Sequence, residues 1–152
     1  MKVGGKVPNF ELPATGGGTW RLQDAVGKKL VIYFYPKDMT SGCTQESQDF
    51  RALYPALAKG GVEIVGVSKD SLASHEKFKA REKLPFQLLA DVDTKVCKLF
   101  DVIHEKSMFG RKYLGVVRST FLLDAAGVLK REWRKVKVPG HAEEVLEAAQ
   151  SL

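Results

Sequence analysis

The chain has 152 residues, with 24 Lys and Arg against 18 Asp and Glu, a formal charge of +6. That length fits one domain with a real core, and the apolar and charged fractions (44% and 28%) are ordinary for a globular protein. No apolar run reaches the roughly 18 residues of a membrane span, and two distant cysteines with no C-x-x-C exclude a disulfide scaffold and a thioredoxin-type dithiol.

In chain order, Met1 to Pro8 lacks the apolar stretch of a secretory signal and is not an Arg- and Ser-rich transit peptide, so a cytoplasmic protein is expected. Phe10-Glu11-Leu12 and Thr19-Trp20-Arg21-Leu22 flank Gly16-Gly17-Gly18 and read as a short hairpin. Leu30 to Phe34 is a buried strand, and the spacing of Phe50, Leu53 and Leu57 predicts a helix over 42–59, weakened or kinked at Pro55 and stopped by Gly60-Gly61. Val62 to Val67 is a second buried strand. Ser71 caps a helix running to about Lys83, which Pro85 ends. Phe86 to Leu89 is a short strand, Asp93 caps a short helix to Phe100, and 104–112 is a loop. Val117 to Leu123 and Val128 to Trp133 form a hairpin around the turn 124–127. A last helix over 140–150 buries Ala142, Val145, Leu146 and Ala149.

Parallel crossovers followed by an antiparallel hairpin and a helix predict an α/β sandwich. In open α/β sheets ligands sit beyond the carboxyl ends of strands, and Cys43 follows such an end. It stands between the strand at 30–35 and the start of a helix, where unpaired N–H groups and the macrodipole favour negative charge. The thiolate is the nucleophilic form. Thr40, three residues earlier, brings a hydroxyl towards the same sulfur. The arrangement describes an exposed, activated cysteine.

Pro36, Thr40 and Cys43 complete the pattern Pro-x-x-x-Thr-x-x-Cys, which resembles the active-site signature of peroxiredoxins. Residues 34 to 46, Phe-Tyr-Pro-Lys-Asp-Met-Thr-Ser-Gly-Cys-Thr-Gln-Glu, are similar to the bacterioferritin comigratory protein, or peroxiredoxin Q, branch. Gly5 to Phe10, Phe100 to Arg111, and Arg118 to Asp124 extend the likeness over most of the chain. The resemblance implies a thioredoxin-like fold with an N-terminal hairpin extension and a central strand–helix insertion. It implies a thiol-dependent peroxidase with Cys43 as nucleophile, and with Thr40, Arg118 and Pro36 around it. Gly42 and Glu46 would support them, Gly42 through its backbone N–H and Glu46 by orienting the arginine. Hydrogen peroxide and alkyl hydroperoxides would be substrates.

Two departures stand out. Ser41 occupies a position that is usually proline in this branch. Relatives keep a resolving cysteine either five residues after the nucleophile, where this chain has Gln48, or in the next helix, near Lys79. Cys97 is outside both positions. It reads either as a small buried hydrophobe or as a resolving thiol. The expectation is a one-cysteine cycle served by thioredoxin, glutaredoxin or glutathione, in a monomer.

Other readings compete. The cysteines with His75, His104 and His141 show no metal-ligand spacing, and neither metal nor cofactor is expected. Lys130, Arg131, Arg134, Lys135 and Lys137 form a basic cluster that reads as a solvated strand or a nucleic-acid patch, the latter not as the primary function. A redox sensor or holdase would need the thiolate but not the threonine and arginine; a basic interaction module would need none of them. The histidines read as surface or capping residues, and Trp20 and Trp133 as packing residues. Phe109 and Tyr113 wall the site or pack in the loop.

Overall fold

A computed structural model describes residues 1–152. Five strands form the central sheet: β3 (Lys29–Phe34), β4 (Val62–Ser68), β5 (Gln87–Ala90), β8 (Ser119–Leu123) and β9 (Leu129–Arg134), in the order β5-β4-β3-β8-β9. β3, β4 and β5 are parallel, joined by α1 (Ser41–Lys59) and α2 (Leu72–Glu82); β8 and β9 run antiparallel. The hairpin of β1 (Glu11–Pro13) and β2 (Thr19–Arg21) sends Leu12 and Trp20 inward, and a bridge from Ala14 to Leu89 ties it to the sheet.

β3 is buried on both faces because each is covered. Leu30, Ile32 and Phe34 pack on the N-terminal hairpin and on α3 (Lys95–Leu99). Val31, Tyr33 and Tyr35 pack on α1, α2 and α4 (His141–Gln150) through Phe50, Leu57, Phe78 and Val145. Each fully buried side chain of this size contributes about 1.5–3 kcal/mol. Gly66 on β4 lies opposite Tyr33, and a Cβ there would stand 2.8 Å from Tyr33 Cζ. Its absence lets the Tyr33 hydroxyl reach Ser47 Oγ on α1, at 2.9 Å. No helix is long and apolar enough to cross a membrane.

Several expectations need correction. Residues 104–112 are not a loop. β6 (Ile103–Met108) and β7 (Arg111–Val116) pair through a two-residue turn in which Phe109 and Gly110 have φ of 52° and 78°. Two positive φ angles match the type I′ hairpin turn, normally written Asn-Gly; phenylalanine hid the signal, and mostly exposed strands show no alternation. The predicted strand over Val117 to Leu123 begins two residues later, at Ser119, because Val117 and Arg118 link β7 to β8. Asp91, not Asp93, caps α3: its carboxylate accepts the N–H groups of Val96 and Cys97 at 3.2 and 2.7 Å. Asp93 reaches only Lys95 N, at 3.3 Å. α1 is one continuous helix across Pro55. His75 and His141 are buried rather than superficial, because each lies on the inward face of its helix and has a polar partner there. Ser71 does cap α2, accepting from Ser74 N.

Candidate active site

Strand register brings the site together. β8 pairs antiparallel with β3 so that Ser119 lies opposite Phe34. Arg118, one residue earlier, is thereby delivered to the carboxyl end of β3, where the chain turns into α1. It precedes the strand rather than lying on it. Thr40 is the N-cap residue of α1, so Cys43 falls in the first turn, whose N–H groups have no intrahelical acceptor. Glu46 follows one turn later on the same face.

The Arg118 guanidinium spans two partners. Nη2 donates to Cys43 Sγ at 3.2 Å, and Nη1 donates to Glu46 Oε1 at 2.6 Å. Burial works against its charge, but Glu46 and Cys43 outweigh it and hold the guanidinium more firmly protonated than usual. Gly42 makes room: a Cβ there would stand 3.2 Å from Arg118 Nη2.

Cys43 is not exposed as expected; it is 1% accessible, packed with Tyr33, Tyr35 and Phe50 beneath the arginine. Thr40 does not cap the helix with its side chain. Its hydroxyl donates to Lys37 O at 2.8 Å. With its hydrogen committed, it offers an incoming molecule only lone pairs. Pro36 is half-buried at the loop entrance, where its fixed φ limits the backbone.

Glu46 is 1% accessible along its side chain, and Oε2 has no hydrogen-bond partner. Burial pushes its carboxyl up to about 7 from an ordinary 4.5, against the opposing pull of Arg118. The folded protein therefore holds this proton where the unfolded chain has released it. The associated stability is complete below about pH 4.5 and is lost as pH rises through about 7. Urea unfolding between pH 5 and pH 8 is expected to show wild type losing more stability than Glu46→Gln over that interval; equal losses would contradict the assignment.

Cys97 lies on α3 against Val96 and Phe100, on the opposite face of the sheet from Cys43. It is fully buried, and burial followed by the Asp91 carboxylate pushes its thiol far above the ordinary range. Gln48, at one expected resolving position, bonds to Glu82; Lys79, at the other, is half-buried on α2.

The other candidates make no hydrogen bond to Cys43, Glu46 or Arg118. Phe109 is 98% exposed at the β6–β7 tip, and Tyr113 is exposed on β7. Trp20 is buried, while Trp133 is half-buried and donates to Glu144. In the basic cluster, Arg131 pairs with Glu144 over the Trp133 ring, and Arg134 donates to the carbonyls of Phe100 and Asp101. Those arginines brace the fold. One polar cluster escaped sequence reasoning: Asp38, Asp70 and His75 bring potential ligand atoms within 4.8 Å of one another. Hydrogen bonds within the protein already engage Asp38, Asp70 and His75.

The sequence profile of the AhpC/TSA family matches residues 3–132. The chain belongs to that family. Within the AhpC/TSA family its relatives are of the Bcp, or peroxiredoxin Q, branch. A putative peroxiredoxin Bcp of Coxiella burnetii is 48% identical over 146 residues, covering 96% of this chain and 97% of the relative. The peroxiredoxin Bcp of Bacillus subtilis is 47% identical over 152 residues, covering 100% and 97%. Among solved structures, a cysteine-to-serine variant of Xylella fastidiosa PrxQ superposes with a TM-score of 0.94 at 40% identity, covering 99% of this chain and 96% of that one. The bacterioferritin comigratory protein of Xanthomonas campestris, whose trapped intermediate and ligand complexes concern alkyl peroxide reduction, superposes with a TM-score of 0.90 at 48% identity, covering 93% and 90%. The thioredoxin-like peroxiredoxin fold expected from the sequence is the one observed, and as a member of this family the chain is a thiol-dependent peroxidase.

Proposed function

We propose that this chain reduces hydrogen peroxide and organic hydroperoxides at Cys43, in a cycle that uses one cysteine and an external thiol. The observation that carries the reading is the Arg118 guanidinium bridging Cys43 Sγ and Glu46. A guanidinium is permanently charged and presents several fixed donors, so it serves both the thiolate and the charge that develops as the peroxide bond breaks.

The thiolate of Cys43 attacks the hydroxyl oxygen of ROOH. An S–O bond forms, the O–O bond breaks, and RO⁻ leaves with the electron pair, taking a proton to become ROH. Cys43 is left as a sulfenic acid. The first-turn N–H groups at Gly42 and Cys43 supply donors to the peroxide, and Thr40 accepts from its O–H. Together they fix the line of attack, while Pro36 holds the loop that carries Thr40. An external thiol then displaces water from the sulfenic acid to give a mixed disulfide, and a second thiol releases reduced Cys43. The reading takes thioredoxin, glutaredoxin or glutathione as that reductant, and a monomer in the cytoplasm. Alkyl peroxide reduction by the Xanthomonas relative supports extending the substrates to organic hydroperoxides.

One equivalent of peroxide should add one oxygen atom to the peptide bearing Cys43, read by mass spectrometry, with water and alcohol as products. Oxidation confined to other residues would refute the proposal. Cys97→Ser should keep near-normal turnover with dithiothreitol or thioredoxin as reductant. A Cys43–Cys97 disulfide in peroxide-treated protein, with turnover lost in Cys97→Ser, would replace the one-cysteine cycle with a two-cysteine one.

A further inference from the structure

Asp38 sits in the active-site loop between Pro36 and Thr40, and its side chain is buried. Oδ1 accepts the Tyr35 hydroxyl at 2.6 Å, and Oδ2 accepts the Ser74 hydroxyl at 2.8 Å. Oδ2 also faces His75 Nδ1 at 2.7 Å. The other ring nitrogen of His75 faces the Leu89 carbonyl at 2.9 Å. The Asp38 N–H donates to Asp70 Oδ2. Burial alone would lift the Asp38 carboxyl, but bonds from His75, Tyr35 and Ser74 outweigh it and hold it below the usual carboxylate range. Asp38 Oδ2 and the Leu89 carbonyl thus bracket the two ring nitrogens of His75, with the Tyr35 hydroxyl 3.4 Å from Nδ1.

This hydrogen-bonded pair fastens the loop to α2 and β5, yet makes no hydrogen bond to Cys43, Glu46 or Arg118. Beside it, Lys37 O accepts the Thr40 hydroxyl, and Met39 holds a φ of 65°. A non-glycine residue in that region is strained and persists where its surroundings over-determine it. The closed loop also leaves Cys43 1% accessible, which a reducing thiol cannot approach without an opening.

We propose that the buried Asp38–His75 hydrogen bond is a latch on loop 36–40: closed, it positions Thr40 and the first turn of α1 for peroxide; released, it admits the reducing thiol. This rests on the peroxidase reading. Asp38 and His75 are then positioning residues that act through the loop. A latch biases two conformations, so weakening it shifts the half-reactions in opposite directions.

Stopped-flow measurements on Asp38→Asn and His75→Gln test this. Hydrogen peroxide added to reduced protein should form the sulfenic acid about tenfold more slowly, the scale of one charge-assisted hydrogen bond. Dithiothreitol added to oxidised protein should reduce it faster than in wild type. Amides 38–44 should exchange hydrogen faster in both variants. Both half-reactions slowed together, or neither changed, overturns the latch. If those variants do not fold, Ser74→Ala should give the same opposed shifts, smaller; their absence there overturns it too. An effect of EDTA on wild-type rates would assign Asp38, Asp70 and His75 to a metal ion and overturn it. A wild type inert to peroxide defeats the peroxidase reading, and hydrogen exchange at 38–44 then still decides the latch.

Discussion

Cys43→Ser is expected to abolish peroxidase turnover, by a factor of at least about 10³, while the fold survives. Serine is nearly the size of cysteine, so the packing against Tyr33, Tyr35 and Phe50 is preserved. Its hydroxyl accepts from Arg118 in the place of the sulfur. What disappears is the nucleophile, because a serine hydroxyl has no base beside it to take its proton. Arg118, Thr40 and the helix N-terminus remain in the variant and are expected to bind peroxide still, so binding and chemistry are separated. Peroxide consumption with excess dithiothreitol measures the loss, and thermal unfolding checks the fold. Turnover within about tenfold of wild type would remove Cys43 from the nucleophile's role.

Much of the site was legible because its geometry is local. A strand end, a loop and a helix start fall within Phe34 to Glu46, and burial of Leu30 to Phe34 follows from an unbroken apolar run. Burial of Cys43 was not legible. It depends on a guanidinium 75 positions away, and Arg118 reaches the sulfur through the pairing of Phe34 with Ser119. Long-range register leaves no periodic trace in sequence, so only the family resemblance singled out Arg118. The sides taken by the two cysteines were hidden for a similar reason. Alternation along β3 says that two faces exist, but not which of them α3 covers. The β6–β7 hairpin was missed because its strands pack against little, and patterning records burial rather than hydrogen bonding. His75 was misread because a histidine on a helix with Ser74, Glu76 and Lys77 beside it looks solvated. The acceptors that justify burying it come from the active-site loop and from β5.

Arg118→Ala is expected to slow sulfenic acid formation by about 10²–10³, the scale for losing one preorganised donor at a developing charge. The same change strips Glu46 of its only partner, since Oε2 has none. Breaking a buried pair on one side costs about 3–5 kcal/mol if the remaining charge stays. Glu46 avoids much of that by keeping its proton, which burial already favours. Stability and rate therefore report different things here, and a second substitution separates them. Arg118→Ala with Glu46→Gln removes the stranded carboxyl, so unfolding should move back towards wild type. The peroxide step should stay slow, because nothing restores the cation at the sulfur. Arg118→Lys should recover only part of the rate, since a single ammonium lacks the planar fork that meets Cys43 and Glu46 at once. Stopped-flow oxidation and urea unfolding of the four proteins give both quantities. A double variant that regains the rate along with the stability would reduce Arg118 to a structural partner of Glu46 and take it out of the chemistry.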